Sequence, residues 1–76
     1  MDLRQVFAAN LRRFRHDKGL TQEALADLAV VDRTYLSKLE TGATWVGLEI
    51  IGKLAKVLKR PPSNFLEMPK NAGKSR

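Results

Sequence analysis

Arg33, Thr34, Ser37 and Lys38 follow closely on Asp32, an aspartate placed where a helix would begin. At helical spacing Leu36 and Leu39 turn one way, and these four hydrogen-bonding side chains turn the other. The chemistry available to them is recognition of base edges. Arginine and lysine match the two acceptors that guanine presents in a major groove, and threonine can hydrogen-bond or touch a thymine methyl. Taken alone, the four describe a solvated helix face better than a binding surface, so the rest of the chain has to decide. Catalytic chemistry finds less. His16 is the sole histidine, on a basic segment where a surface position is expected, and there is no cysteine. No carboxylates are paired in an apolar setting. Neither an enzyme, a metal centre, a cofactor nor a small-molecule ligand is expected.

The charge balance points to a polyanion. Fourteen Lys plus Arg against eight Asp plus Glu give a formal net charge of +6 over 76 residues and a pI near 10.2. On so small a body this favours nucleic acid first and an anionic membrane surface second. The excess is concentrated in Arg12, Arg13, Arg15 and Lys18 and in the final PKNAGKSR. No apolar run approaches the roughly 20 residues of a membrane span, and MDLRQVF lacks a secretory pattern. A single soluble domain acting in the cytoplasm is expected, over residues 1–68, with 69–76 as a basic, disordered tail.

The elements that must carry the four side chains read as follows. Asp2 can cap a first helix, with Gln5 completing a capping box. Leu3, Val6, Phe7, Leu11 and Phe14 form its apolar stripe, and Gly19 closes it. Thr21 caps a second helix that buries Leu25, Ala26 and Ala29. Asp32 caps a third, with Leu36 and Leu39 inward and an end near Gly42. Ala29, Val30 and Val31 keep the junction between the second and third helices apolar, so that turn is packed and the crossing angle fixed. ATWVG is a loop. Leu48, Ile51, Leu54, Ala55 and Leu58 stripe a fourth helix, stopped by the prolines of KRPP. Pro62 can open a short last helix carrying Phe65 and Leu66. The fold class is all-α, five helices around one core.

The segment LTQEALADLAVVDRTYLSKLETG resembles the helix-turn-helix of the Cro/phage-repressor (xenobiotic-response-element) family. The likeness is carried by Leu20-Thr21-Gln22, Leu25-Ala26, Val31, Tyr35-Leu36-Ser37, and Glu40 followed by Gly42. GLEIIGKLAKVLKRPPSNFLE resembles the family's last two helices, so the likeness spans about residues 3 to 68. It implies a lambda-repressor-like domain whose third helix enters the major groove while the second crosses the backbone. Base-reading would fall to Arg33, Thr34, Ser37 and Lys38, and phosphate contact to Gln22. Arg15 and Glu40 match the family's structural ion pair, and Arg15 can also approach phosphate. Two departures stand out. Val30 occupies a turn position that is often glycine, where a β-branched residue is costly. The loop before the fourth helix offers phosphate only Thr44 and backbone amides, which passes secondary phosphate contact to Arg12 and Arg13.

The resemblance further implies a homodimer on a two-fold symmetric operator, as in small phage regulators or restriction–modification controllers. Contact is expected at Arg60, Pro62, Phe65, Ile50 and Val57, with plain core packing the favoured alternative for Phe65, and Trp45 is a packing or subunit-contact residue. RNA polymerase is a possible partner through Glu40 and Thr41. The competing reading is a protein-interaction module of the same fold, an antitoxin or coactivator with DNA binding secondary. The hydrogen-bonding face of the third helix favours the regulator.

Overall fold

The computed structural model describes residues 2–68. In chain order they form α1 (Leu3–Asp17), α2 (Gln22–Ala29), α3 (Arg33–Thr41), α4 (Leu48–Leu58) and a 3-10 helix at Pro62–Leu66. Among the described residues there are thus four α-helices and no strand. The fifth expected helix is a tight 3-10 segment of five residues, the form in which short helical pieces and connectors are often found. The tail at 69–76 lies outside the described residues.

The starts of α1, α2 and α3 are each fixed by a side-chain cap, whereas Gly47 before α4 offers none. Thr21 accepts from Ala24 N at 3.0 Å, and Asp32 accepts from Tyr35 N at 3.0 Å, satisfying donors the first turn leaves free. Asp2 caps α1 through Arg4 N at 2.9 Å and pairs with the Arg4 guanidinium at 2.9 Å. The capping box expected at Gln5 does not form. Gln5 reaches across to the Thr41 carbonyl at the end of α3, at 3.4 Å.

All four α-helices end alike. Gly19, Val30, Gly42 and Lys59 take the left-handed conformation, with φ of 68°, 57°, 77° and 56°. The next residue then donates to a carbonyl five positions back. Leu20 reaches Arg15 (3.1 Å), Val31 reaches Ala26 (2.9 Å), Ala43 reaches Lys38 (3.0 Å) and Arg60 reaches Ala55 (3.1 Å). This bond satisfies carbonyls that a helix end otherwise orphans. At Gly42 glycine takes this conformation without strain, and a Cβ there would fall 2.2 Å from Nε2 of Gln5, whose side chain would have to move aside.

The core is a stack of apolar faces: Phe7, Leu11 and Phe14 from α1, Leu25 and Ala29 from α2, Leu36 and Leu39 from α3, Leu54 and Leu58 from α4. Phe65 closes it, edge-on to Phe14 with centroids 5.0 Å apart, an arrangement that adds about 0.5–1.5 kcal/mol to the burial itself. Phe65 is wholly buried within the single chain, so of its two expected places, core packing and subunit contact, it takes the core. Asn10 pins the same segment from beneath, donating to the Phe65 and Glu67 carbonyls, each at 2.9 Å. Two expected core residues are not in the core. Leu3 is half exposed and Leu48 is 86% exposed, because both stand in the first turn of a helix whose start projects past its neighbours.

Candidate nucleic-acid interface

The turn between α2 and α3 is short because Val30 goes left-handed (φ 57°, ψ 54°) and Val31 is buried behind it. Val30 therefore adopts the dihedrals that a glycine would take without strain, and its side chain is left in solvent. The packed turn sets α3 across α2, and a second device fixes that angle from within.

That device is Glu40, a carboxylate only 2% exposed. Its two oxygens accept from Arg15 Nε at 2.6 Å and Nη2 at 2.9 Å, the bidentate geometry in which charge-assisted hydrogen bonds are strongest. Gln22 Nε2 donates to the same carboxylate at 3.0 Å. Arg15 Nη1 is spent on the Leu20 carbonyl at 2.8 Å. Arg12 donates to the Glu40 main-chain carbonyl. One glutamate near the end of α3 thereby ties down α1 and the first residue of α2. An amide nitrogen carries two hydrogens, so the bond from Gln22 to Glu40 leaves one for an outside acceptor.

Outward of this brace, Gln22, Arg33, Thr34, Ser37 and Lys38 line one shallow, open depression of about 370 Å³. Arg33, Thr34 and Lys38 are exposed and Ser37 half-buried. Among the described residues none of these four α3 side chains is spent on an intramolecular hydrogen bond. The depression therefore presents two cations and several free donors and acceptors on one helix face, flanked by the N-terminus of α2 with its unsatisfied amides.

The other expected phosphate contacts lie elsewhere. Arg15 has all three nitrogens engaged and its side chain is 12% exposed, so it braces the fold and is not free to reach phosphate. Arg12 is exposed but tethered at the C-terminal end of α3. Arg13 bonds Asn10 Oδ1 at 3.2 Å and lies over the Phe14 ring at 5.0 Å, beside the 3-10 helix. Thr44 lines an apolar groove with Trp45, away from the polar depression. A polymerase contact through Glu40 is excluded by its burial, while Thr41 is exposed with its hydroxyl turned to the Lys38 carbonyl at 3.1 Å. Of the expected subunit contacts, Ile50 and Val57 are partly buried against the core. Arg60 lies over Phe14 at 4.2 Å and pairs with Asp17 at 3.0 Å, and Pro62 is exposed.

One residue that matters, Asn10, was missed, and so was one contact of Gln22. Gln22 carries its sequence cue in the capping position ahead of it, but its tether to Glu40 does not show in any local pattern. Asn10 does have a signal: it is a lone amide three residues from Phe7 and four from Phe14, on an otherwise apolar face.

Among the described residues no group of three or more His, Cys, Asp or Glu is placed to hold a metal, and no helix is long and apolar enough to cross a membrane.

Comparison with known proteins agrees with this geometry. The helix-turn-helix family HTH_3 matches residues 11–65. The crystal structure of hypothetical transcription factor NHTF from Neisseria is 39% identical, with a TM-score of 0.87 over 99% of this chain and 86% of that one. The restriction–modification controller protein C.AhdI from Aeromonas hydrophila is 40% identical, with a TM-score of 0.78 over 82% of this chain and 94% of that one. Control protein C.BamHI from Bacillus amyloliquefaciens is 34% identical, covering 87% of this chain and 83% of its own length. The chain belongs to the HTH_3 helix-turn-helix family of DNA-binding transcription regulators and is not an enzyme.

Proposed function

We propose that this chain reads double-stranded operator DNA sequence-specifically, as a dimer on a two-fold symmetric site. The observation that carries the reading is the convergence of Gln22, Arg33, Thr34, Ser37 and Lys38 on one open face braced by a buried carboxylate. The amide of Gln22 and the N-terminus of α2 hold phosphate, which sets register without carrying sequence information. With register set, α3 lies in the major groove. Arg33 and Lys38 face guanine acceptors, Thr34 faces a thymine methyl or an acceptor, and Ser37 supplies a shorter contact beside them. Two copies place their reading helices about 34 Å apart, one turn of duplex. Like the controller proteins it resembles, the chain acts in the cytoplasm as a regulator whose occupancy follows its concentration.

The test is selection of bound sequences from a random duplex pool at near-physiological salt, where non-specific phosphate binding is weakened. A two-fold symmetric motif is the expected result. Absence of enrichment by the folded protein defeats the sequence-specific reading.

A further inference from the structure

Asp2 pairs with Arg4, Asp17 with Arg60 and Glu40 with Arg15. Asp32 has no such partner among the described residues, although it directly precedes Arg33 in a chain of net charge +6. It is exposed and stands at the start of α3. One of its carboxylate oxygens, Oδ2, accepts from Tyr35 N at 3.0 Å. The other accepts no hydrogen bond from the described residues. The capping bond and the extended backbone (φ −60°, ψ 131°), which follows directly on buried Val31, hold the group in place. Its second oxygen is therefore a held acceptor. Capping alone does not call for the charge, since serine and asparagine cap a helix as well as aspartate does. Beside DNA the charge is a liability. A carboxylate at the end of a helix laid in the major groove meets phosphate repulsion, and only a donor on the duplex offsets it.

The four bases differ in what they offer such an oxygen. In the major groove guanine presents only acceptors, N7 and O6. Thymine presents the O4 acceptor and a methyl, and adenine sets its N6 donor beside the N7 acceptor. Cytosine alone offers a donor, the N4 amino group, with no acceptor on its own edge. We infer that Asp32 is a specificity-determining residue, whose second oxygen accepts from the N4 amino group of a cytosine in the base pair next to the guanine that Arg33 takes. The inference rests on the sequence-specific reading above and adds selection by exclusion to it. At any other base the carboxylate meets an acceptor, and that juxtaposition costs affinity. The consecutive anion and cation at the start of α3 thus complement the two base types of a G·C-rich step.

Selection from a random duplex pool is run side by side on the wild type, Asp32→Asn and Asp32→Ser. Both variants keep a capping oxygen, and helical circular dichroism checks that each is folded. Competition binding then sets the selected duplex against duplexes in which the cytosine is replaced. Expected for the wild type is a cytosine next to the guanine that drops out of the motif in Arg33→Ala, preferred by about tenfold over other bases. In both Asp32 variants that preference should fall to about unity while the guanine is kept. Binding to unselected duplexes should strengthen severalfold at low salt, because a negative charge has been removed. A cytosine preference unchanged in both variants overturns the inference and leaves Asp32 as a cap. A wild-type motif without that cytosine overturns it too. Either result leaves the sequence-specific reading standing, since a motif was selected. No enrichment by the folded wild type overturns that reading and the inference together.

Discussion

Two concave faces lie open on this small domain, and they are held by opposite means. The polar depression over α2 and α3 is supported from beneath: Glu40 grips Arg15 and Gln22, and the packed turn at Val30 and Val31 fixes the crossing of the helices. Its outer side chains are free because an inner layer does the positioning. The apolar groove has no such layer. Leu3 and Leu48 stand at helix starts with solvent on most sides, and its rim is ordered by the Arg4–Asp2 pair, the Arg4–Trp45 contact and the bond from the Tyr35 hydroxyl to the Trp45 carbonyl at 3.1 Å. A surface that must present donors at set positions needs rigidity built under it.

The largest expected effect breaks the inner layer. Glu40→Ala leaves the Arg15 guanidinium buried without its counter-charge, and breaking a buried pair this way costs about 3 kcal/mol or more. Leu48→Ala, on the groove, should change monomer stability by less than about 0.5 kcal/mol, as exposed substitutions do. Urea unfolding of both variants decides the matter, measured at concentrations where the chain is monomeric. Equal, small losses would show that the depression does not depend on its brace.

How far each face was legible in the sequence follows from the range of the interactions that make it. Thr21, Asp32 and Gly42 act on neighbours a few residues away, so helix starts, one stop and the outward face of α3 could be read directly. The Val30 turn was legible as a departure, because a valine where glycine is common has few conformations to choose from. Glu40 as a hub for α1 and α2 was visible only in half, through the Arg15 pair that the family resemblance implies. Its hold on Gln22 depends on how the helices cross. The groove was not legible at all. Leu3 and Leu48 obey the same spacing as Phe7 and Ile51, and periodicity cannot say that a helix start overhangs the core. Phe65 was left between core and subunit contact: it sits in a five-residue segment after two prolines, where its burial is decided by Phe7, Phe14 and Asn10 far along the chain.

Within the polar face, two variants should separate register from readout. Arg33→Ala is expected to cost about 1–3 kcal/mol on the selected duplex and to relax choice at one or two base pairs. Gln22→Ala should weaken good and poor duplexes by the same factor, since phosphate contact carries no sequence information. Competition binding against single-base variants of the duplex distinguishes them. An unchanged preference in Arg33→Ala removes it from the base readers, and a selective loss in Gln22→Ala removes the phosphate role.

A smaller effect, of opposite sign, concerns the turn that aims the reading helix. Val30 sits left-handed with 76% of its surface exposed, so it carries the strain of that conformation and contributes little burial in return. The left-handed region costs an L-residue roughly 1–2 kcal/mol, part of which glycine returns through the greater freedom of the unfolded chain. Val30→Gly should therefore stabilise the domain by about 1 kcal/mol in thermal or urea unfolding. A loss of stability instead would mean that Val30 contributes a contact outweighing its strain.

The smallest effect lies on the rim of the groove and is visible only through pH. The Arg4 side chain, and then the Arg4 backbone N–H, hold the Asp2 carboxyl below its ordinary value of 3.8. A carboxylate with a depressed folded pKa contributes stability that is fully present above the unfolded value and is lost as pH falls through the folded one. Asp2→Asn keeps a side-chain oxygen for the helix cap but has no charge to pair with Arg4. Wild type should thus exceed Asp2→Asn by a constant margin near neutral pH, and the margin should close as acid is added below the ordinary carboxylate range. Added salt should shrink it at every pH, because the pair lies open to solvent. Urea midpoints for both proteins, taken from pH 7 to pH 2 at two ionic strengths, test this. A margin that persists in acid would place the contribution of Asp2 in its hydrogen bond to the α1 backbone and leave the charge pair with Arg4 no part in ordering the rim.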